Sequence, residues 1–215
     1  MKIGVLAGTP VDTQMGVDFV LSQGFDAIGR ACSESPVIQS EMQILHKKEL
    51  LDIAIRLCRE MESDGAQGIF VNCNSLSGAV DMDEVRRHIT ISLVTPLDVY
   101  KLCAKDYSRL GVIAANGQSL AAIEHLILEN NNQCMVVGAG LLPVVIAIEN
   151  GLEPQKIYDS YKIKELVRSL EAMGCEALVL GCTHFPYLLA QIENNSAIPV
   201  INPGMRMLHI LKSTC

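Results

Sequence analysis

The chain repeats itself. Gly4 in K-I-G-V-L-A and Gly111 in R-L-G-V-I-A stand 107 residues apart, Pro96 in L-V-T-P and Pro203 in V-I-N-P again 107, and Cys73 in I-F-V-N-C-N and Cys182 in L-V-L-G-C-T 109. Chance likenesses between apolar segments would fall at scattered offsets, so three anchors at nearly one offset point to duplication of one unit. Each copy carries four short, β-branched runs: KIGVLAG, FDAIGRA, GIFVNC and ISLVTP, then LGVIAA, CMVVGA, EALVLGC and IPVIN. Longer amphipathic stretches separate them, notably residues 40–63 and 158–173, where apolar residues recur at three and four. Such alternation specifies parallel sheets with crossover helices. The expected fold is α/β, with two pseudo-symmetric lobes, each a four-stranded, mainly parallel sheet flanked by helices, and an active site in the cleft between them. Residues 1–96 with 204–215 form the first expected lobe and 97–203 the second.

Composition removes several classes of function. Lys and Arg number 17 against 24 Asp and Glu, a formal charge of −7, with no basic block to neutralise phosphates, so no nucleic-acid partner is expected. The longest apolar stretch without a charge, residues 134–148, is interrupted by Gly138, Gly140 and Pro143 and is shorter than the ~20 residues a membrane helix needs. The opening MKIGVLAGTPVD has no signal-peptide pattern, so the chain is expected to start near Met1, with no membrane association and a cytoplasmic location. The eight cysteines are then reduced thiols. No C-x-x-C pair and no cluster of the five histidines suggests a metal site, and none is expected. By the habit of α/β enzymes of this size, a homodimer is expected.

Ligands of open α/β sheets bind beyond the carboxyl ends of the strands, and Cys73 and Cys182 occupy that place in corresponding runs. Each is followed by small polar residues and then an expected helix, whose unpaired N–H groups could hold a carboxylate and lower a thiol pKa. Two such thiols on opposite faces of a carbon acid could remove a proton from one side and return one from the other, without a cofactor. A rival reading, Cys182 as a lone nucleophile with His184 as its base, leaves Cys73 unexplained. Cys32, Cys58, Cys103, Cys134, Cys175 and Cys215 read as small buried hydrophobes. Asp12 reads as the cap of a helix starting near Thr13, His46, His88, His125 and His209 as surface or partly buried residues, and Met205 and Met207 as core.

In N-C-N-S-L-S (residues 72–77) and L-G-C-T-H-F-P-Y (residues 180–187) the chain resembles the aspartate/glutamate racemase superfamily, whose glutamate racemases carry A-C-N-T-A-S and L-G-C-T-H-Y-P-L. The resemblance implies cofactor-independent racemisation of an amino acid, aspartate or glutamate, with Cys73 the base toward the D-substrate and Cys182 toward the L-substrate. It further implies that Asn74, Ser75 and Thr183 hold the α-carboxylate and amino group and that His184 assists Cys182. Where glutamate racemases have an acidic-Ser-Gly turn, this chain has Ala7, Gly8 and Thr9, so the acidic partner of the first cysteine is missing and the turn looks more like aspartate racemases. Gly8, Thr9 and Asn116, the last in A-A-N-G-Q-S where the family has A-T-x-x-T, complete the substrate-side candidates. Arg30, at the expected end of the second strand, is the candidate cation for a distal carboxylate. Glu149 stays outside the set, because its spacing from His184 does not match the family's acidic position. A superfamily isomerase acting on maleate, a hydantoin racemase and a silent carboxylate-binding protein remain alternatives; two cysteines argue against an arylmalonate decarboxylase.

Overall fold

A computed structural model describes residues 1–214, so the expectation for Cys215 lies outside the described residues. Every expected run forms a strand: β1 (Lys2–Ala7), β2 (Asp26–Ala31), β3 (Gly68–Asn72), β4 (Ser92–Val94), β5 (Arg109–Ala114), β6 (Met135–Gly140), β7 (Ala177–Gly181) and β8 (Val200–Ile201). They make two four-stranded sheets of the same order, β2-β1-β3-β4 and β6-β5-β7-β8, with every pairing parallel. The near-continuous apolar character of β3 and β7 has its explanation here. Both are interior strands, and all five residues of each are buried.

Twelve helices connect and cover the strands among the described residues: α1 (Pro10–Ser22), α2 (Pro36–Leu45), α3 (Lys47–Ser63), α4 (Asn74–Ala79), α5 (Met82–Arg87), α6 (Pro96–Cys103), α7 (Gly117–Asn130), α8 (Leu142–Glu149), α9 (Pro154–Ser160), α10 (Ile163–Ala172), α11 (Leu189–Glu193) and α12 (Gly204–Thr214). None is long and apolar enough to cross a membrane. The two amphipathic stretches differ from expectation. Residues 40–63 are not one helix: His46, at φ −130° and ψ 38°, leaves the helical region and separates α2 from α3. Residues 158–173 break at Lys162, whose positive φ of 56° places it in the left-handed conformation just before α10. The first helix also starts earlier than expected. Pro10 is its first residue and the Thr9 side chain accepts from Asp12 N (3.2 Å), so Asp12 lies inside the first turn, buried, and is not the cap.

The chain divides into two compact units, Met1–Val99 with the last segment from Gly204, and Tyr100–Pro203. In the first, α3 lays Leu50, Ala54, Leu57, Cys58 and Met61 against Leu6, Ile69 and Val71 of the sheet, an aliphatic core that also holds Cys32 and Cys73. α12 returns to this unit and packs on β3 and β4 through Met207, Leu208 and Leu211. Met205 is not core as expected: it is 57% exposed, two residues from the buried Met207 and on the other side of the helix.

Candidate functional site

In the first unit, strand register sets the geometry. Ala7 lies opposite Ala31 on one side and Asn72 on the other, so β1, β2 and β3 end level. One residue further, Gly8, Cys32 and Cys73 leave the sheet together. Cys73 is the N-cap of α4, and its sulfur accepts from Leu76 N (3.4 Å). Ser75 Oγ stands 3.3 Å from the same sulfur. A third partner comes from α2: Gln39 Nε2 donates to Cys73 Sγ (3.0 Å) and to Ser75 Oγ (3.1 Å). Asn74, 2% exposed, makes no hydrogen bond through Nδ2 or Oδ1 with any described residue. Burial first, then the charge of Asp12, pushes the Cys73 thiol up to about 12, while the donors from Ser75, Leu76 and Gln39 act in the opposite sense. Asp12 is held at this end of the sheet by Asn72, whose Nδ2 donates to its backbone oxygen (3.0 Å) and to Oδ1 (3.2 Å). A buried carboxylate thus lies near the first cysteine, three residues beyond the turn where the family pattern would put one.

In the second unit Cys182 leaves β7 as Cys73 leaves β3. The local structure differs from expectation, because Cys182 is followed by a turn and a short 3-10 segment (Phe185–Leu188) before α11, so no α-helix begins there. Cys182 Sγ lies 3.6 Å from His184 Nδ1, and His184 Nε2 is 2.8 Å from Glu149 Oε1. An ionised carboxylate can only accept, so Nε2 carries the hydrogen and Nδ1 turns its lone pair to the thiol. The result is a Cys-His-Glu chain, buried at Cys182 and His184 and partly buried at Glu149, the last residue of α8; such a chain can pass the thiol proton to His184 and stabilise the imidazolium so formed. The Glu149–His184 contact, which spacing along the chain did not suggest, joins α8 to the turn after β7, and no motif links the two.

The remaining candidates separate. Gly8 lies under the Gln39 carboxamide, which a Cβ at that position would overlap. Thr9 and Asn116 both serve as helix caps, Asn116 Oδ1 accepting from Ser119 N (2.9 Å) and Ser119 Oγ (2.8 Å) at the start of α7. Thr183 is half-buried in the turn after Cys182. Arg30 fails as the substrate cation. Its guanidinium donates to Asp64 Oδ2 (2.8 Å) and approaches Glu60 (4.0 Å) at the end of α3, in a surface pocket lined also by Asp52, Arg56 and Arg59. The strand position was read correctly, but a long side chain goes to the nearest carboxylates, here Glu60 of α3 and Asp64, the residue that follows this helix. Gln39 escaped sequence reasoning altogether, since a glutamine in a helix carries no motif.

The comparisons with known proteins bear on the family and the fold. The family described as Asp/Glu/Hydantoin racemase matches residues 31–206, and the chain belongs to that family. A glutamate racemase of Histophilus somni is 28% identical over 152 residues, 68% of this chain and 56% of that protein; the chain spans little more than half the length of this curated relative. Two solved structures share the fold. Glutamate racemase of Francisella tularensis, in complex with D-glutamate, has a TM-score of 0.74 at 19% identity and covers 99% of this chain and 79% of its own. Allantoin racemase of Klebsiella pneumoniae has a TM-score of 0.72 at 16% identity, covering 99% and 86%.

Proposed function

We propose that this protein is a cofactor-independent amino-acid racemase in which Cys73 and Cys182 are the two bases. One observation carries the reading: each cysteine stands one residue beyond the same interior strand of two sheets of identical order. For 1,1-proton transfer the two thiols have to address opposite faces of one Cα, one as thiolate and one as thiol. The thiolate removes the α-proton and the thiol delivers its own to the other face. Each turnover thus leaves the cysteines with exchanged protonation and the substrate inverted. Asn74, Ser75 and Thr183 bind the α-carboxylate and amino group, and the neutral donors around Cys73 stabilise charge that develops on the carboxylate as the proton leaves. Aspartate or glutamate is the leading substrate, on the strength of the glutamate racemase relative. A reduced cytosol and a homodimeric state belong to the same reading.

A second reading has its own support. With Arg30 committed to Asp64, the polar side chains at Cys73 are neutral, Gln39 and Ser75 at the sulfur and the adjoining Asn74 amide without a partner among the described residues, and these suit the N–H and C=O groups of a cyclic ureide as well as a carboxylate. A hydantoin-type substrate is then the alternative. Incubation in D₂O with glutamate, aspartate and allantoin, followed by mass spectrometry and chiral chromatography, decides between them. Exchange at the acidic carbon with inversion identifies the substrate, and no exchange with any of the three ends both readings. Cys73→Ala and Cys182→Ala should each abolish inversion, whereas Cys134→Ala should retain it. A single-cysteine variant that keeps wild-type inversion would rule out the two-base mechanism.

A further inference from the structure

Gln39 is buried, comes from α2, and places its amide nitrogen against both Cys73 Sγ and Ser75 Oγ. The Gln39 carboxamide lies in the volume that a Cβ on residue 8 would take, so a side chain there would displace it. An amide N–H that points at sulfur distinguishes the two states of the thiol. It bonds strongly to the anion and weakly to the neutral S–H. A carboxylate partner does the reverse.

We infer that Gln39 is a positioning residue for Cys73: its side-chain amide holds the sulfur as an acceptor and favours thiolate over thiol, and Gly8 is the device that lets the amide reach it. Among the charged and titratable groups around Cys73, Asp12 of α1 works against the anion. Cys32, which follows β2, and Cys58 of α3 share its core cluster and are themselves pushed up by burial. α2 brings the neutral Gln39, so this helix supplies a donor with no titration of its own. The inference rests on Cys73 being a reacting thiol, but its test needs no turnover, which keeps its failure distinct from failure of the racemase assignment.

The test is the rate at which iodoacetamide alkylates Cys73 on the full chain at one fixed pH below about 9, followed by mass spectrometry of the Cys73 peptide, because that rate follows the thiolate fraction. Gln39→Leu should slow it about tenfold, the worth of one hydrogen bond to a charged group. Gly8→Ala, which displaces the amide, should slow it by a similar factor, and adding Gly8→Ala to Gln39→Leu should slow it no further. Gln39→Glu keeps the size and polarity of the side chain and should slow it more than Leu does. If Leu disturbs folding, the Glu and Gly8 variants decide. A rate that is unchanged or faster in the folded variants overturns the proposal.

Discussion

At the residue scale the two thiols have different neighbours, and the difference is chemical. Cys73 is surrounded by donors that do not titrate, whereas Cys182 touches an imidazole that can carry its proton and is backed by Glu149. In the proposed mechanism Glu149→Gln takes away a carboxylate charge beside any imidazolium formed at His184. It should lower kcat/KM by about 10- to 100-fold, the cost of one hydrogen bond to a charged partner. The loss should be equal for the two enantiomers, because the equilibrium constant of a racemisation is one and no variant can change the ratio of forward to reverse kcat/KM. Steady-state rates in both directions check this, and an unchanged rate would remove Glu149 from the mechanism. Residues within one strand-to-turn segment, such as Cys73, Asn74, Ser75, Cys182 and His184, were legible because the chain itself brings them to the strand end. Gln39, Glu149 and the partner of Arg30 were not, since each depends on how a separate helix packs.

At the element scale α2 inverts the usual arrangement of a surface helix. Gln39 and Gln43 face inward, while Val37, Ile38, Ile44 and Leu45 are exposed, Leu45 at 68%. Apolar periodicity therefore marks the wrong face of this helix, and for that reason residues 40–63 read as a single amphipathic element. The exposed and buried leucines give a direct contrast. Leu45→Lys should change unfolding free energy by less than about 0.5 kcal/mol. Leu50→Ala, which empties a fully buried place in α3, should cost about 2–5 kcal/mol. Denaturant unfolding of the two variants measures both. A large loss for Leu45→Lys would mean that the outer face of α2 is covered in solution.

At the scale of the whole molecule, the eight strands and their division into two four-stranded parallel sheets could be read in advance because the duplication doubled every signal, whereas the strand order could not; even the caps keep the period, Thr9 and Asn116 being 107 residues apart. The breaks at His46 and Lys162 could not, since neither residue is a helix breaker and only packing shows the turn. One core cluster holds three thiols, Cys32, Cys58 and Cys73, all pushed up by burial, Cys58 and Cys73 to about 12. Each is neutral in the folded chain at a pH where the unfolded chain would ionise it. The folded state then binds more protons, and stability, complete below about pH 9, should fall as pH rises from there toward 12. Melting temperatures across that range check the decline, and Cys58→Ala should make it shallower; a flat profile would contradict the burial of these thiols. The return of α12 to the first unit carries a different consequence, one of order in time. A ribosome delivers all of Tyr100–Pro203 before Gly204, so the second unit can be finished while the first still lacks the helix that covers β3 and β4. The half of the molecule that is made first is therefore completed last.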